Sequence, residues 1–90
     1  MKQFRFVFLV KVRDHDSSKH RVTMETPTCR TIMIGVKDLQ DACEQAKQLV
    51  EKNEVDKIEL CGGFKEEGAK AVSECINRKV PVGYVVDLKH

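Results

Sequence analysis

The stretch Lys57-Ile58-Glu59-Leu60-Cys61-Gly62-Gly63-Phe64 decides the fold class of this 90-residue chain. Its first five residues predict a short strand, and the paired glycines end that strand. A helix is predicted from about Lys65 to Arg78, because Ala69, Val72 and Ile76 recur at helical spacing. A strand that passes through a tight turn into a helix is typical of α/β folds.

The sequence on either side supplies four more strands and one more helix. Apolar periodicity predicts strands at Phe4 to Val12, Arg21 to Glu25, Thr31 to Val36 and Val82 to Leu88, and a helix at Asp38 to Asn53. The order β-β-β-α-β-α-β therefore predicts a single α/β domain over residues 1–90. Because helical crossovers join parallel strands, we expect a mixed, mostly parallel sheet of four to five strands with two helices.

The first strand is apolar on both faces, with Phe4, Phe6, Phe8 and Val10 on one side and Val7 and Leu9 on the other. That pattern predicts a central strand covered by a layer on each side. The short strand at Arg21 to Glu25 is expected at an edge, antiparallel to its neighbour. Two helices also leave part of a sheet face bare, and a bare apolar face has to be covered. We therefore expect a homo-oligomer.

Composition and charge exclude several classes of protein. Hydrophobic residues are 41% and charged residues 33%, which suits a globular chain. The net charge is only +2 and no basic stripe is present, so no nucleic acid partner is expected. The apolar run Phe6 to Val10 is shorter than the ~7–15 residues of a signal peptide core or the ~20 of a membrane span. The prediction is a cytoplasmic protein with no membrane partner.

The four cysteines stand at widely separated positions, Cys29, Cys43, Cys61 and Cys75. Structural zinc usually takes cysteines in close pairs, and no export signal supports disulfides. Asp14, His15, Asp16 and His20 form a polar loop with residue types that bind metals, but such loops are commonly solvent-facing turns. We therefore predict free thiols, no metal and no cofactor.

The carboxyl end of the strand at Lys57 to Cys61 is the first candidate site, because open α/β sheets bind ligands at strand ends. Paired glycines admit a ligand to the backbone, and a helix start offers N–H groups to an anion. The leading hypothesis is a binding module for a small anionic metabolite, with ligand-binding residues Glu59, Cys61, Gly62, Gly63, Phe64 and Tyr84.

Several alternatives stay open. The two glycines also suit a simple tight turn, and Glu59 also suits an ion pair with Arg5, Lys11 or Arg30. In a second hypothesis the protein is an enzyme with Cys61 as nucleophile and His15 or His20 as base. A helix start can lower the pKa of a nearby thiol, and a nucleophilic cysteine usually needs a base within reach. In a third hypothesis it is a structural subunit that assembles with itself.

Five segments share a pattern with one protein family: Phe6-Val7-Phe8, Ile34-Gly35-Val36, Ile58-Glu59-Leu60-Cys61-Gly62-Gly63-Phe64, Gly68-Ala69 and Val80-Pro81-Val82-Gly83. On these segments the chain resembles a family of small, functionally uncharacterised bacterial proteins of about this length. The segment from Ile58 to Phe64 is the most specific. A glycine often follows that phenylalanine in the family, whereas Lys65 stands here. The resemblance implies a small cytoplasmic, oligomeric α/β domain and no particular activity.

Overall fold

The computed structural model describes residues 2–89 of the chain. These residues contain five strands and two α-helices. The strands are β1 (Phe4–Lys11), β2 (Arg21–Glu25), β3 (Cys29–Val36), β4 (Lys57–Leu60) and β5 (Val82–Tyr84). The helices are α1 (Leu39–Glu51) and α2 (Lys65–Cys75), and a single 3-10 turn (Gly62–Phe64) precedes α2. The predicted α/β class and element order are confirmed. The predicted range 1–90 also includes Met1 and His90, which lie outside the described residues.

The strands form one sheet in the order β2-β3-β1-β4-β5. β2 is antiparallel to β3, and every other pairing is parallel. The predicted central place of β1 and the edge place of β2 are both confirmed. Two helical crossovers join parallel strands: α1 connects β3 to β4, and α2 connects β4 to β5. Both crossovers move across the sheet toward the β5 edge. Since such crossovers are right-handed, both helices cover the same face of the sheet, where they contact each other.

The hydrophobic core lies between that face and the helices. Its fully buried side chains come from the three middle strands and both helices: Val7, Leu9, Ile34, Val36, Ile58, Leu60, Ala42, Ala46 and Val72. The expectation that β1 is covered on both sides is wrong for residues 2–89, because both helices pack on one side. Alternation and strand register leave seven large apolar side chains on the other side, here called the uncovered face: Phe4, Phe6, Phe8, Val10, Val22, Met24 and Met33.

Both helices and the last strand are shorter than predicted. Asn53 and Asn77 have φ values of 55°, so the backbone leaves the helical region soon after each helix ends. β5 ends at Tyr84 because its one partner strand, β4, ends at Leu60. The longer helix, α1, has 13 residues, whereas a membrane span needs about 20. Within residues 2–89, none of the helices has the length and apolar character of a membrane span.

Candidate functional site

The predicted turn site begins where β4 ends. Cys61 leads into the 3-10 turn, and its Sγ accepts a hydrogen bond from the backbone N–H of Lys11 at 3.3 Å. Glu59 forms an ion pair with Lys57, with Nζ and Oε2 3.2 Å apart. The ion-pair partners considered from sequence were on other strands, whereas the observed partner lies two residues earlier on the same strand. Both side chains of that pair therefore share one face of β4.

Phe64 and Tyr84 lie in different surroundings from Glu59. Phe64 is 4% exposed and packs in the core, with the Nζ of Lys11 5.2 Å from its ring centre. A Cβ atom on Gly68 would stand 2.9 Å from the Cβ of Phe64, so this glycine makes space for the phenylalanine. Tyr84 pairs with Leu60 across the sheet edge, and its hydroxyl lies 3.5 Å from the carboxylate of Glu66.

The six predicted residues are therefore only partly brought together. Gly62 and Tyr84 line one shallow cavity of about 320 Å³, together with Lys65, Glu66, Val85, Val86 and Asp87. The cavity holds two carboxylates and one ammonium, a poor balance for an anion. Glu59 lies on the uncovered side of the sheet by alternation, and Phe64 lies in the core.

A larger cavity of about 460 Å³ lies at the carboxyl ends of β1 and β3, on the uncovered face. This cavity, here called the histidine pocket, is lined by Val10, His15, Lys19, His20, Arg21, Val22, Met33 and Gly35. Its volume falls in the range of small-molecule sites, and its lining combines an apolar floor with a few polar groups. Four of the lining side chains are basic, and none is a carboxylate.

The loop that carries His15 and His20 along one side of the histidine pocket is tied to the start of α1. The Ser17 hydroxyl donates to Oδ1 of Asp41 at 2.9 Å, and the Lys37 backbone N–H donates to Oδ2 at 3.1 Å. Asp41 is 9% exposed, so its carboxylate is largely shielded from water, although both hydrogen bonds are only partly buried. The backbone N–H of Gly35 also donates to the carbonyl of His20 at 2.7 Å. The loop is therefore held by both the sheet and a helix.

The two histidines of the pocket have opposite proton positions in their neutral forms. Nδ1 of His15 lies 3.0 Å from the carbonyl oxygen of Val10, which can only accept, so this Nδ1 carries the proton. Nδ1 of His20 accepts from the backbone N–H of Asp16 at 2.8 Å, so the proton of this ring is on Nε2. The rings lie 5.5 Å apart between centroids. Thus Nε2 is an acceptor in His15 and a donor in His20.

Sequence reasoning considered the two histidines as bases for Cys61 and as metal ligands. The hydrogen-bond partners of both Nδ1 atoms are backbone groups. The Sγ of Cys61 is hydrogen-bonded to the backbone N–H of Lys11 and not to either histidine. In the described part of the chain, no group of three or more His, Cys, Asp or Glu side chains is arranged to hold a metal ion. Sequence reasoning missed the other residues of the histidine pocket. Gly35, inside a strongly apolar strand, was the available signal, since a strand glycine often marks a close approach.

Comparison with known proteins identifies a matching family. A model described as a family of unknown function (DUF6506) matches residues 4–90. Neither the curated proteins nor the solved structures include a significant match. Because the family model spans nearly the whole chain, it covers the sheet, both helices and the histidine pocket together. The chain belongs to the DUF6506 family, a family of unknown function.

Proposed function

We propose that the protein binds a small organic anion, a carboxylate or phosphate ester with an apolar body, in the histidine pocket. The observation that carries the proposal is the lining: Lys19, Arg21 and two histidines stand around apolar side chains, with no carboxylate among them. Cationic and N–H donors recognise anionic oxygens, and the apolar floor takes the rest of the ligand.

The proton positions of the histidines narrow the ligand further. Nε2 of His20 offers a donor to a ligand oxygen, while Nε2 of His15 accepts from a ligand O–H or N–H. A ligand with both an anionic oxygen and a nearby hydroxyl or amide group fits this pair. The proposed site is at the carboxyl ends of β1 and β3, whereas the sequence favoured the carboxyl end of β4, so the turn at Gly62 and Gly63 is the alternative location.

Mandelate, which has a hydroxyl beside its carboxylate, and phenyl phosphate are suitable probes, with mandelamide as the uncharged control. In ¹H–¹⁵N NMR titrations we expect both anions to shift the amide signals of Gly35 and His20, and the amide probe to leave them in place. Lys19→Met should weaken binding by about threefold, the size expected for a solvent-exposed ion pair. Lys65→Met, a matched change in the smaller cavity, should have no effect.

The same titrations separate the two locations. Shifts confined to Gly62 and Tyr84 would move the site to the turn, and unchanged spectra with all three probes would count against anion binding. Native mass spectrometry of freshly purified protein adds a direct readout, because a retained ligand appears as extra mass that denaturation removes. A change in binding after Cys61→Ala, with no effect of Lys19→Met, would likewise favour the turn.

A second proposed role is self-assembly, in which the edge strand β2 pairs with β2 of a second copy of the chain. All five residues of β2 are exposed, and an unpaired strand edge is a template for pairing. Antiparallel pairing of two β2 strands about Thr23 sets Arg21 opposite Glu25 of the second copy, and Val22 opposite Met24. Opposite charges and apolar pairs directly across strands are both favourable.

A charge swap tests this assembly. In sedimentation velocity over a concentration series, we expect wild type to be dimeric, and Arg21→Glu to dissociate because two carboxylates then face each other. The double variant Arg21→Glu with Glu25→Arg should restore the dimer. A wild-type monomer at all concentrations, or a double variant as monomeric as the single one, would contradict pairing through β2.

Three further expectations stay predictions. The four thiols are free, which suits a reducing compartment and supports a cytoplasmic location. Bacterial origin rests on the sequence resemblance alone. Catalysis by Cys61 rests on its place before the 3-10 turn and the helix, and selective iodoacetamide labelling of Cys61 over the other cysteines is its test.

A further inference from the structure

Two cysteines that are far apart in sequence meet where the helices pack together. Cys43 lies in α1 and Cys75 is the last residue of α2. Their sulfur atoms are 2.7 Å apart, although 32 positions separate the residues in sequence. A disulfide bond is about 2.05 Å long, so closing it needs a shift of only about 0.7 Å. Cys75 lies at the end of its helix, where the backbone can adjust most easily.

The two sulfurs differ in their access to solvent reagents. Cys75 lines a small surface groove of about 80 Å³ with Lys47 and Glu51, and Cys43 is not part of that lining. Hydrogen peroxide is little larger than water, whose share of liquid volume is about 30 Å³, so the groove admits it. Burial and the neighbouring Cys75 raise the pKa of Cys43 to about 12, which keeps that thiol protonated. Cys75 is thus the sulfur that meets an oxidant first.

We propose that Cys43 and Cys75 form a reversible disulfide across the helix pair, with hydrogen peroxide as the oxidant. The Cys75 sulfur attacks one peroxide oxygen; an S–O bond forms, the O–O bond breaks, and hydroxide leaves with the thiol proton as water. The Cys43 sulfur then attacks the sulfenic sulfur, the S–S bond replaces the S–O bond, and the displaced hydroxide leaves with the Cys43 proton as a second water. Two thiols lose two electrons in total, and a dithiol such as dithiothreitol returns them.

Tryptic peptide mapping tests this pairing on the wild-type protein, because each cysteine falls in its own peptide. Cys43 lies in residues 38–47 and Cys75 in residues 71–78, while Cys29 and Cys61 lie in residues 22–30 and 58–65. After mild peroxide treatment and alkylation, we expect the first two peptides joined with a loss of two hydrogens. The other two peptides should carry the alkyl group.

The oxidised protein should also be more stable, because the bond closes a long loop in the unfolded chain. We expect the Tm to rise by about 10 °C, a change that dithiothreitol reverses. Cys75→Ser should abolish both the linked peptide and the Tm gain, and Cys29→Ser should abolish neither. Separately alkylated 38–47 and 71–78 peptides after oxidation, or equal linkage to all four cysteines, would overturn the proposal. Peptide mapping gives this answer even where a serine variant fails to fold.

Discussion

The imidazole of His15 lies directly against Gly35. A Cβ atom at Gly35 would stand 2.5 Å from Nδ1 of His15 and 2.7 Å from its Cγ, closer than atoms of this kind can approach. No glycine in the described chain has a positive φ, so Gly35 is needed for its small size and not for its backbone freedom. The glycine makes space for the ring, and the ring then forms a wall of the histidine pocket.

Gly35→Ala should displace His15 and break its hydrogen bond with the carbonyl of Val10. We expect the free energy of unfolding to fall by about 1–3 kcal/mol, the usual cost of overpacking, and anion binding to weaken with it. Urea unfolding and the NMR signals of the His15 ring measure the two effects. Gly83→Ala is the matched control, because the atoms it meets belong to the half-buried, flexible carboxylate of Glu59. Equal losses in both variants would contradict this explanation.

Asp41→Ala should destabilise both the start of α1 and the loop that carries the histidines. The substitution leaves the Lys37 N–H and the Ser17 hydroxyl without their acceptor, and because both hydrogen bonds are partly buried we expect a loss of about 1 kcal/mol in the free energy of unfolding. Hydrogen exchange should become faster at the amide of Gly35, which is bonded to the same loop. Glu44→Ala, an exposed change on the same helix, should alter stability by less than about 0.5 kcal/mol. A similar effect of both variants would show that these bonds contribute little.

Stability should depend on pH through the pair of Arg5 and Asp56. The guanidinium donates to the carboxylate at 3.0 Å and lowers the pKa of Asp56 to about 2, below its ordinary value of 3.8. The stabilisation is therefore fully present above about pH 4 and is lost as the pH falls through about 2. Because both side chains are partly exposed, Asp56→Asn should cost only about 1 kcal/mol at pH 7. A difference from wild type that stays constant down to pH 2 would argue against this linkage.

Phe64→Ala separates a core role from a ligand-binding role. Because Phe64 is 4% exposed, its truncation leaves a cavity in the core, and we expect a loss of about 3 kcal/mol in the free energy of unfolding. Phe4→Ala is the control, because Phe4 is 47% exposed and its loss should cost less than about 1 kcal/mol. Thermal and urea unfolding measure both variants. A stable Phe64→Ala protein with altered ligand binding would instead support the ligand-binding role.

Much of the fold could be predicted because secondary structure depends on local spacing. The N-cap of α1 is an example: Asp38 precedes the apolar stripe, and its carboxylate accepts from the N–H of Asp41 at 2.8 Å. Element ends were less predictable, since β5 stops where its partner strand stops. The ion pair of Lys57 and Glu59 was also missed: the predicted strand puts both side chains on one face, but strand spacing does not specify the rotamers that bring the two charges together.

The sequence by itself determined the α/β class, the element order, the central position of β1 and the edge position of β2. Helices and strands could be recognised because their apolar periodicity depends only on residues that are close in sequence. Only the tertiary structure decided which face stays uncovered, since that depends on the direction in which successive crossovers advance. The tertiary structure also determined where the histidine pocket lies and that the sulfur atoms of Cys43 and Cys75 come into contact. These features join residues from separate elements, and their contacts exist only after the loop folds onto the sheet and the helices pack together.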